Sequence, residues 1–69
     1  MKFDELLAII DDTNIDVYDT TETDFHRTLW RGHDYDFTYD QVDKDIQDCE
    51  VARVWVDGDV LNVFVDTAI

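Results

Sequence analysis

The sequence predicts a small α+β domain of αββαββ order, in which a helix and a β-hairpin are followed by a short helix and a second β-hairpin, with an antiparallel sheet. Three observations support this prediction: an amphipathic opening segment, four runs rich in β-branched and aromatic residues, and a "DG" turn between the last two runs. The 69 residues leave room for one domain, residues 1–69. A hydrophobic content of 45% excludes a disordered acidic tail.

The first predicted helix is the segment "FDELLAII". Its apolar residues follow the i, i+3, i+4, i+7 spacing of one helical face: Phe3, Leu6, Leu7 and Ile10. Asp4 and Glu5 lie in the first turn, where the helix dipole favours negative charge. The alternating segment "NIDVYD" then predicts a half-buried strand, and "FHRTLWR" predicts a second strand.

The last two strands form the clearest predicted hairpin, because "VARVWV" and "VLNVFV" flank "DGD" and Asp-Gly favours a type I′ turn. With Asp57 and Gly58 as the loop, Val54 pairs with Leu61. The helices are then expected to cover Ala52, Val54, Leu61, Val63 and Val65. The opposite face also carries apolar residues that need cover from elsewhere in the chain: Trp55, Val60 and Phe64.

The second predicted helix is "TYDQVDKDIQDCE", residues 38–50. Thr38 and Gln41 have the spacing of a capping box at its start. Three apolar residues form an inward stripe: Tyr39, Val42 and Ile46. Polar residues point away from that stripe or lie on its flanks: Asp40, Asp43, Lys44, Asp45, Gln47 and Asp48.

The charge of the chain is strongly negative, with 18 acidic residues against five Lys and Arg and a net charge of -13. Fifteen of the acids are Asp, which is a poor helix former with a short side chain and few rotamers. Two explanations fit this composition. One is a rigid anionic surface that matches a cationic partner, and the other is an acidic adaptation to high salt.

The acids concentrate in two parts of the chain, which are the predicted partner-binding surface. The first is the 34–50 segment, with Asp34, Asp36, Asp40, Asp43, Asp45, Asp48 and Glu50. The second is the "DTTETD" loop, with Asp19, Glu22 and Asp24. The alternative for both is an ordinary solvated surface.

The partner is expected to be a basic protein that itself binds nucleic acid. Direct nucleic-acid binding is not expected, because affinity for phosphate depends on Lys and Arg and the chain has five. An enzyme is not expected either, since the chain has no Ser and no glycine-rich phosphate loop. His26 and His33 with Asp34 or Asp36 are a weak alternative metal site, and no cofactor or metal is predicted.

Location and assembly are less constrained by the sequence. No run of residues is long and apolar enough to span a bilayer, and "MKFDELLAII" does not have the basic start of a signal peptide. A cytoplasmic protein that does not contact membranes is therefore expected. The single cysteine, Cys49, cannot form an internal disulfide and is expected to be a buried thiol. The oligomeric state is left open.

The order of "FDELLAIIDDT", "IDVYD", a short acidic helix and "VARVWVDGDVLNVFV" resembles that of the small acidic αββαββ proteins encoded by bacteriophages and prophages. Several proteins of that kind are anti-CRISPR inhibitors, including Cas9 inhibitors that act as DNA mimics where the enzyme holds PAM-containing duplex. The resemblance implies a viral protein that inhibits a CRISPR effector nuclease, with Cas9 favoured. The alternatives are an inhibitor of another DNA-binding host protein, such as a restriction or repair enzyme, and a halophile's small structural or adaptor domain.

Overall fold

The computed structural model of the chain describes residues 1–19, 27–42 and 44–67, without the side chains of Lys44 and Asp45. The first elements are the helix α1 (Phe3–Ile9) and the strands β1 (Asn14–Asp19) and β2 (Arg27–His33). Three short 3₁₀ helices follow, at Asp34–Asp36, Tyr39–Gln41 and Lys44–Asp48. The strands β3 (Glu50–Asp57) and β4 (Val60–Asp66) come last. We call α1 and the three 3₁₀ helices the helical layer.

The four strands form one sheet in the order β2-β1-β4-β3. β1 pairs antiparallel with β2 and β3 antiparallel with β4, but β1 and β4 run parallel in the centre. The α+β class is therefore confirmed, while the prediction of a purely antiparallel sheet is wrong. The two central strands bury the most apolar side chains, which explains why they are neighbours even though they are far apart in the sequence.

The core lies between the sheet and the helical layer. Buried side chains come from both, and the larger members are Phe3, Leu6, Ile15, Val17, Ile46, Val63 and Val65. Phe3 is fully buried and packs edge-on against Phe37, with 5.6 Å between the ring centroids. The inward stripe predicted for "FDELLAII" is thus confirmed, with Leu7 and Ile10 partly buried against the same cluster.

The β3–β4 hairpin has the predicted strands but a different turn. Asp57 pairs with Val60, so the two loop residues are Gly58 and Asp59 and the register is shifted by two residues from the prediction. Gly58 has a φ of 63°, whereas Asp59 is not among the positive-φ residues. A positive φ at the first loop position only is the pattern of a type II′ turn, which prefers glycine there. A shift of two residues keeps every side chain on its predicted face.

An irregularity in β3 changes one of the predicted core residues. The pairing shifts between Val51 and Arg53, so that Ala52 is bulged out of the register. Val51 pairs with Val65 and packs against the core, and Ala52 is exposed. The bulge therefore replaces Ala52 by Val51 on the inner face.

The second predicted α-helix is not present in the described residues, which form the last two 3₁₀ helices instead. Thr38 makes no side-chain capping bond. The Gln41 side chain accepts a hydrogen bond from the Trp30 indole and donates one to the backbone oxygen of Asp36 (3.1 Å), so it is not available for a capping box. Asp-rich sequence adds to this, because Asp side chains compete with helical backbone bonding. The inward stripe holds all the same, with Ile46 buried.

The apolar residues on the opposite face of the sheet cover one another. The ring of Phe64 stacks between Tyr18 (4.9 Å) and Trp55 (4.8 Å), which belong to the neighbouring strands. The Arg53 guanidinium lies 4.9 Å from the Trp55 ring centroid and 5.1 Å from that of Phe64. Phe64 is left only 3% exposed. Cross-strand aromatic stacking and cation–π contacts thus cover Phe64, while Trp55 stays 39% exposed.

Candidate functional site

Four of the ten predicted contact residues have exposed side chains: Asp36, Asp40, Asp48 and Glu50. Asp36 and Asp40 belong to the first two 3₁₀ helices, and Asp48 ends the third. Glu50 differs from the other three, because its carboxylate binds the terminal ammonium of Met1 at 3.2 Å. Its charge is therefore partly compensated within the chain.

Two predicted contact residues have structural roles instead. Asp19 is 4% exposed, accepts a hydrogen bond from the Thr67 hydroxyl (2.8 Å), and lies 3.7 Å from the Arg27 guanidinium. The Asp34 carboxylate, 8% exposed, accepts a hydrogen bond from the backbone N–H of Thr13 at 2.8 Å. A partner protein cannot reach either carboxylate directly, so we do not include them in the candidate surface.

The remaining four predicted contact residues are not placed by the structure. Glu22, Asp24 and Asp43 lie outside the described residues, and so does the side chain of Asp45. Their contribution to a binding surface stays a prediction. His26, half of the alternative metal site, also lies outside the described residues.

Asp4 joins the candidate surface, although the sequence had suggested only a helix-dipole role for it. Burial raises the pKa of the Tyr39 phenol, and the negative charges of Asp4 and Asp48 raise it further. Asp4, in the first turn of α1, and Asp48, at the end of the third 3₁₀ helix, therefore both lie near Tyr39. Only the packing of α1 against that 3₁₀ helix reveals this, so no sequence pattern predicts it. We use the name acidic face for the exposed Asp side chains that the structure describes in the helical layer: Asp4, Asp36, Asp40 and Asp48.

The acidic face has little positive charge near it. Within the described ranges, no cationic group forms an ion pair with any of its four carboxylates. Lys2 is the one Lys or Arg of the helical layer whose side chain the structure describes, and it stands next to α1. The negative charge of the acidic face is thus little compensated within the described part of the chain.

The arginines lie on the sheet instead. Arg27 approaches the buried Asp19, and the Arg31 Nε donates to Asp16 at 3.0 Å. Hydrogen bonds with Tyr18 and Asp16 raise the pKa of the Arg31 guanidinium. Arg53 covers the aromatic rings. All three arginines therefore lie on strands, which also carry five acids, and none of them pairs with a carboxylate of the acidic face.

A second acidic cluster connects the α1–β1 loop to the end of β2. His33 lies between two carboxylates, with Nε2 2.8 Å from Asp12 Oδ1 and Nδ1 3.1 Å from Asp34 Oδ1. The Tyr35 hydroxyl donates to Asp11. Among the described residues, no group of three His, Cys, Asp or Glu side chains is arranged to hold a metal ion. These contacts fasten the loop to the sheet.

Tyr35 gives this cluster a measurable signature. Its hydrogen bond to Asp11 is the main cause that raises the Tyr35 pKa from 10.0 to about 12, with burial and the neighbouring carboxylates adding to it. A pKa that is higher in the folded state stabilises the fold below pH 10.0, and this stabilisation disappears as the pH rises toward about 12. We expect Asp11→Asn to shift the Tyr35 pKa back toward 10.0.

Ultraviolet titration of phenolate formation measures this shift, and the Tyr35→Phe variant identifies which of the three tyrosines is responsible. The difference between the titrations with and without Tyr35 gives the absorbance change of Tyr35 alone. Its midpoint should lie near pH 12 in the unmodified chain and nearer 10.0 in Asp11→Asn. Equal titration of that part in the two proteins would show that Tyr35 and Asp11 do not interact.

Comparisons of the chain with protein-family models, curated proteins and solved structures found no match. In the described residues, no helix has the length and apolar character needed to cross a membrane. What the site can do is therefore inferred from its own chemistry. Exposed carboxylates without counter-ions attract cationic surfaces, and their position on short, packed helical turns limits their freedom.

Proposed function

We propose that this chain is a non-enzymatic inhibitor that presents its acidic face to the nucleic-acid-binding channel of a basic protein, in the place of phosphates. The observation that carries the proposal is that the exposed carboxylates of the acidic face are uncompensated. The carboxylates of the acidic face have no described counter-ion, while the arginines are engaged on the sheet. Such a surface suits a partner that has evolved to hold a polyanion.

The charge density sets a condition for this proposal. The chain exposes 4576 Å², so an even distribution of its 18 acids would place one in about 250 Å². Duplex DNA carries about one phosphate per 110 Å² of its surface. Concentrating most of the acids on about half of the protein surface brings the two densities to about the same value. Separation of charge is thus the condition that mimicry requires.

The preferred target is a CRISPR effector nuclease, with Cas9 favoured. This preference depends on the resemblance to phage-encoded acidic inhibitors in size, charge and order of elements along the chain. The parallel β1–β4 pair and the 3₁₀ helices in place of a second α-helix are departures from that group. A phage-encoded inhibitor would act in the cytoplasm of the host cell. The acidic face itself fits any channel that binds duplex DNA, including that of a restriction or repair enzyme.

Competition with DNA tests the proposal. Fluorescent duplex carrying a PAM is bound to guide-loaded Cas9 at about 0.15 M salt, where the Debye length is about 8 Å, and the unlabelled chain is titrated in. We expect release of the duplex, reversal by excess duplex, and weaker binding of the chain as salt rises. The same titration with a restriction enzyme and a repair enzyme on their own duplexes identifies which class of protein is the target.

Two results would contradict the proposal. One is binding of the duplex and the chain to the same nuclease at the same time, or no competition in any of the titrations. The other is a circular dichroism spectrum showing that the chain folds only at about molar salt, since self-repulsion of a halophilic domain requires that screening. The second result would identify the acidity as an adaptation to salt.

A further inference from the structure

Half of strand β3 is left open at the edge of the sheet. β3 is the last strand in the order β2-β1-β4-β3. Residues 1–3 cover its beginning, where the Phe3 N–H donates to the Cys49 oxygen (2.9 Å) and the Val51 N–H donates to the Met1 oxygen (2.8 Å). No described strand lies beside residues 53–57 on that side. We call residues 53–57 the free edge.

The free edge is apolar as well as open. Val54 and Val56 face the same side of the sheet as the core, but they lie beyond the reach of the helical layer and are 40% and 68% exposed. On the other edge strand, β2, the Trp30 side chain packs against Phe37 (5.0 Å) and donates to Gln41, so its large apolar residue is covered by the helical layer. A shallow depression on the free edge is lined by Arg53, Val54 and Trp55. An exposed apolar edge is a surface on which another strand can pair.

We infer that a second copy of the chain pairs with the free edge, antiparallel and about a two-fold axis at Trp55. In this register, Arg53 lies opposite Asp57 of the second copy, and Val54 lies opposite Val56. Each contact occurs twice, because the two-fold axis makes the interface isologous. The result is two cross-strand pairs of opposite charge on the open face of the sheet and an apolar patch of four valines on the other face.

Charge complementarity selects this register. A two-fold axis perpendicular to the sheet keeps the faces of the two copies aligned, so paired residues must lie on the same face. The neighbouring registers that meet this condition centre on Val54 or Val56. Pairing about Val54 places Arg53 opposite Trp55, and pairing about Val56 leaves Arg53 without a partner in residues 53–57. Neither register places Arg53 opposite Asp57. Only the register about Trp55 places Arg53 opposite Asp57 of the second copy.

The interface is small and the copies repel each other, which sets its strength. Five residues per copy bury much less than the roughly 800 Å² per partner of a stable complex. Two chains of charge -13 also repel at long range. We expect a weak dimer whose formation increases with protein concentration and with moderate salt, because salt screens the overall repulsion.

A charge exchange tests this pairing by sedimentation equilibrium, with no nuclease present, so its outcome is independent of the proposed function. Arg53→Asp and Asp57→Arg should each weaken self-association at least about tenfold, because each places like charges opposite one another. An equimolar mixture of the two variants has the same total charge as two unmodified chains and should associate as they do. The variant with both substitutions should also dimerise normally.

Circular dichroism accompanies each variant, because Arg53 also covers the Trp55 and Phe64 rings. Asp57 is exposed beside the turn, so Asp57→Arg on its own remains informative if Arg53→Asp unfolds. Three results would overturn the inference: an unmodified chain that stays monomeric up to about 1 mM, single variants that dimerise as well as the unmodified chain, or a folded double variant that stays monomeric. An unmodified chain that stays monomeric and instead pairs its free edge with a peptide of its target would also overturn the inference.

Discussion

Replacing Asp40 and Asp48 together by Lys should abolish inhibition of the target nuclease. Both side chains are exposed on the acidic face and form no ion pair with described residues. Each substitution turns an attraction into a like-charge contact, and we expect binding to fall at least about 100-fold, or about 2.7 kcal/mol. Folding should persist, because exposed substitutions away from packing contacts change the free energy of unfolding by about 0.5 kcal/mol each.

The matched control is Asp57→Lys with Asp59→Lys, which makes the same charge change at the tip of the β3–β4 hairpin. Both positions are exposed, Asp57 at the end of β3 and Asp59 in the turn. The control variant should bind the nuclease at most about tenfold more weakly than the unmodified chain, because its lower net charge weakens the long-range attraction. Binding is measured well below the concentrations at which the free edge associates. Equal losses in the two variants would mean that total charge matters and that the acidic face has no special role.

Phe3→Ala should unfold most of the protein at room temperature. Phe3 is fully buried and contacts Phe37, and loss of a buried Phe costs about 3–5 kcal/mol. A domain of this size rarely has more than about 3–5 kcal/mol of stability in total, so one such substitution is enough. Urea titration followed by circular dichroism measures the free energy of unfolding of both proteins.

The matched control is Ile9→Ala, in the same helix. Ile9 is 68% exposed, and we expect the free energy of unfolding to change by about 0.5 kcal/mol or less. A Phe3→Ala variant that unfolds cooperatively and loses less than about 1 kcal/mol would show that α1 is not packed against the sheet as described.

Local periodicity was sufficient to predict most of the elements. The i, i+3, i+4, i+7 spacing located α1, and alternation located the strands and the inward faces of β1 and β4. Strand neighbours were not predictable, since alternation assigns the faces of a strand but does not identify the strand beside it. The bulge at Ala52 and the turn at Gly58 were not predictable either. The same sequence is compatible with the predicted Asp57–Gly58 turn and with the observed Gly58–Asp59 turn, and backbone geometry decides between them.

The candidate site was predictable only in part, because the sequence gives the number and position of the acidic residues but does not show which of them are buried or hydrogen-bonded in the fold. Asp40 and Asp48 are exposed as the helix pattern suggested, and so is Asp36, which lies just before the predicted helix. Asp19 is buried by its alternation with Ile15 and Val17, a pattern that the sequence does contain. The hydrogen bond from Thr13 to Asp34 joins residues far apart in the chain, so no local pattern reveals it.

The parallel pair at the centre of the sheet also has a consequence for synthesis of the protein. β4 follows every other described element along the chain, yet it lies between β1 and β3. Contacts between such distant segments raise the contact order and slow folding, because a long loop must close before they form. While the ribosome is still making β4, β1 has only one of its two strand partners. Folding is therefore completed only after almost all of this sequence has been translated, and until then the edge of β1 that pairs with β4 is open to aggregation.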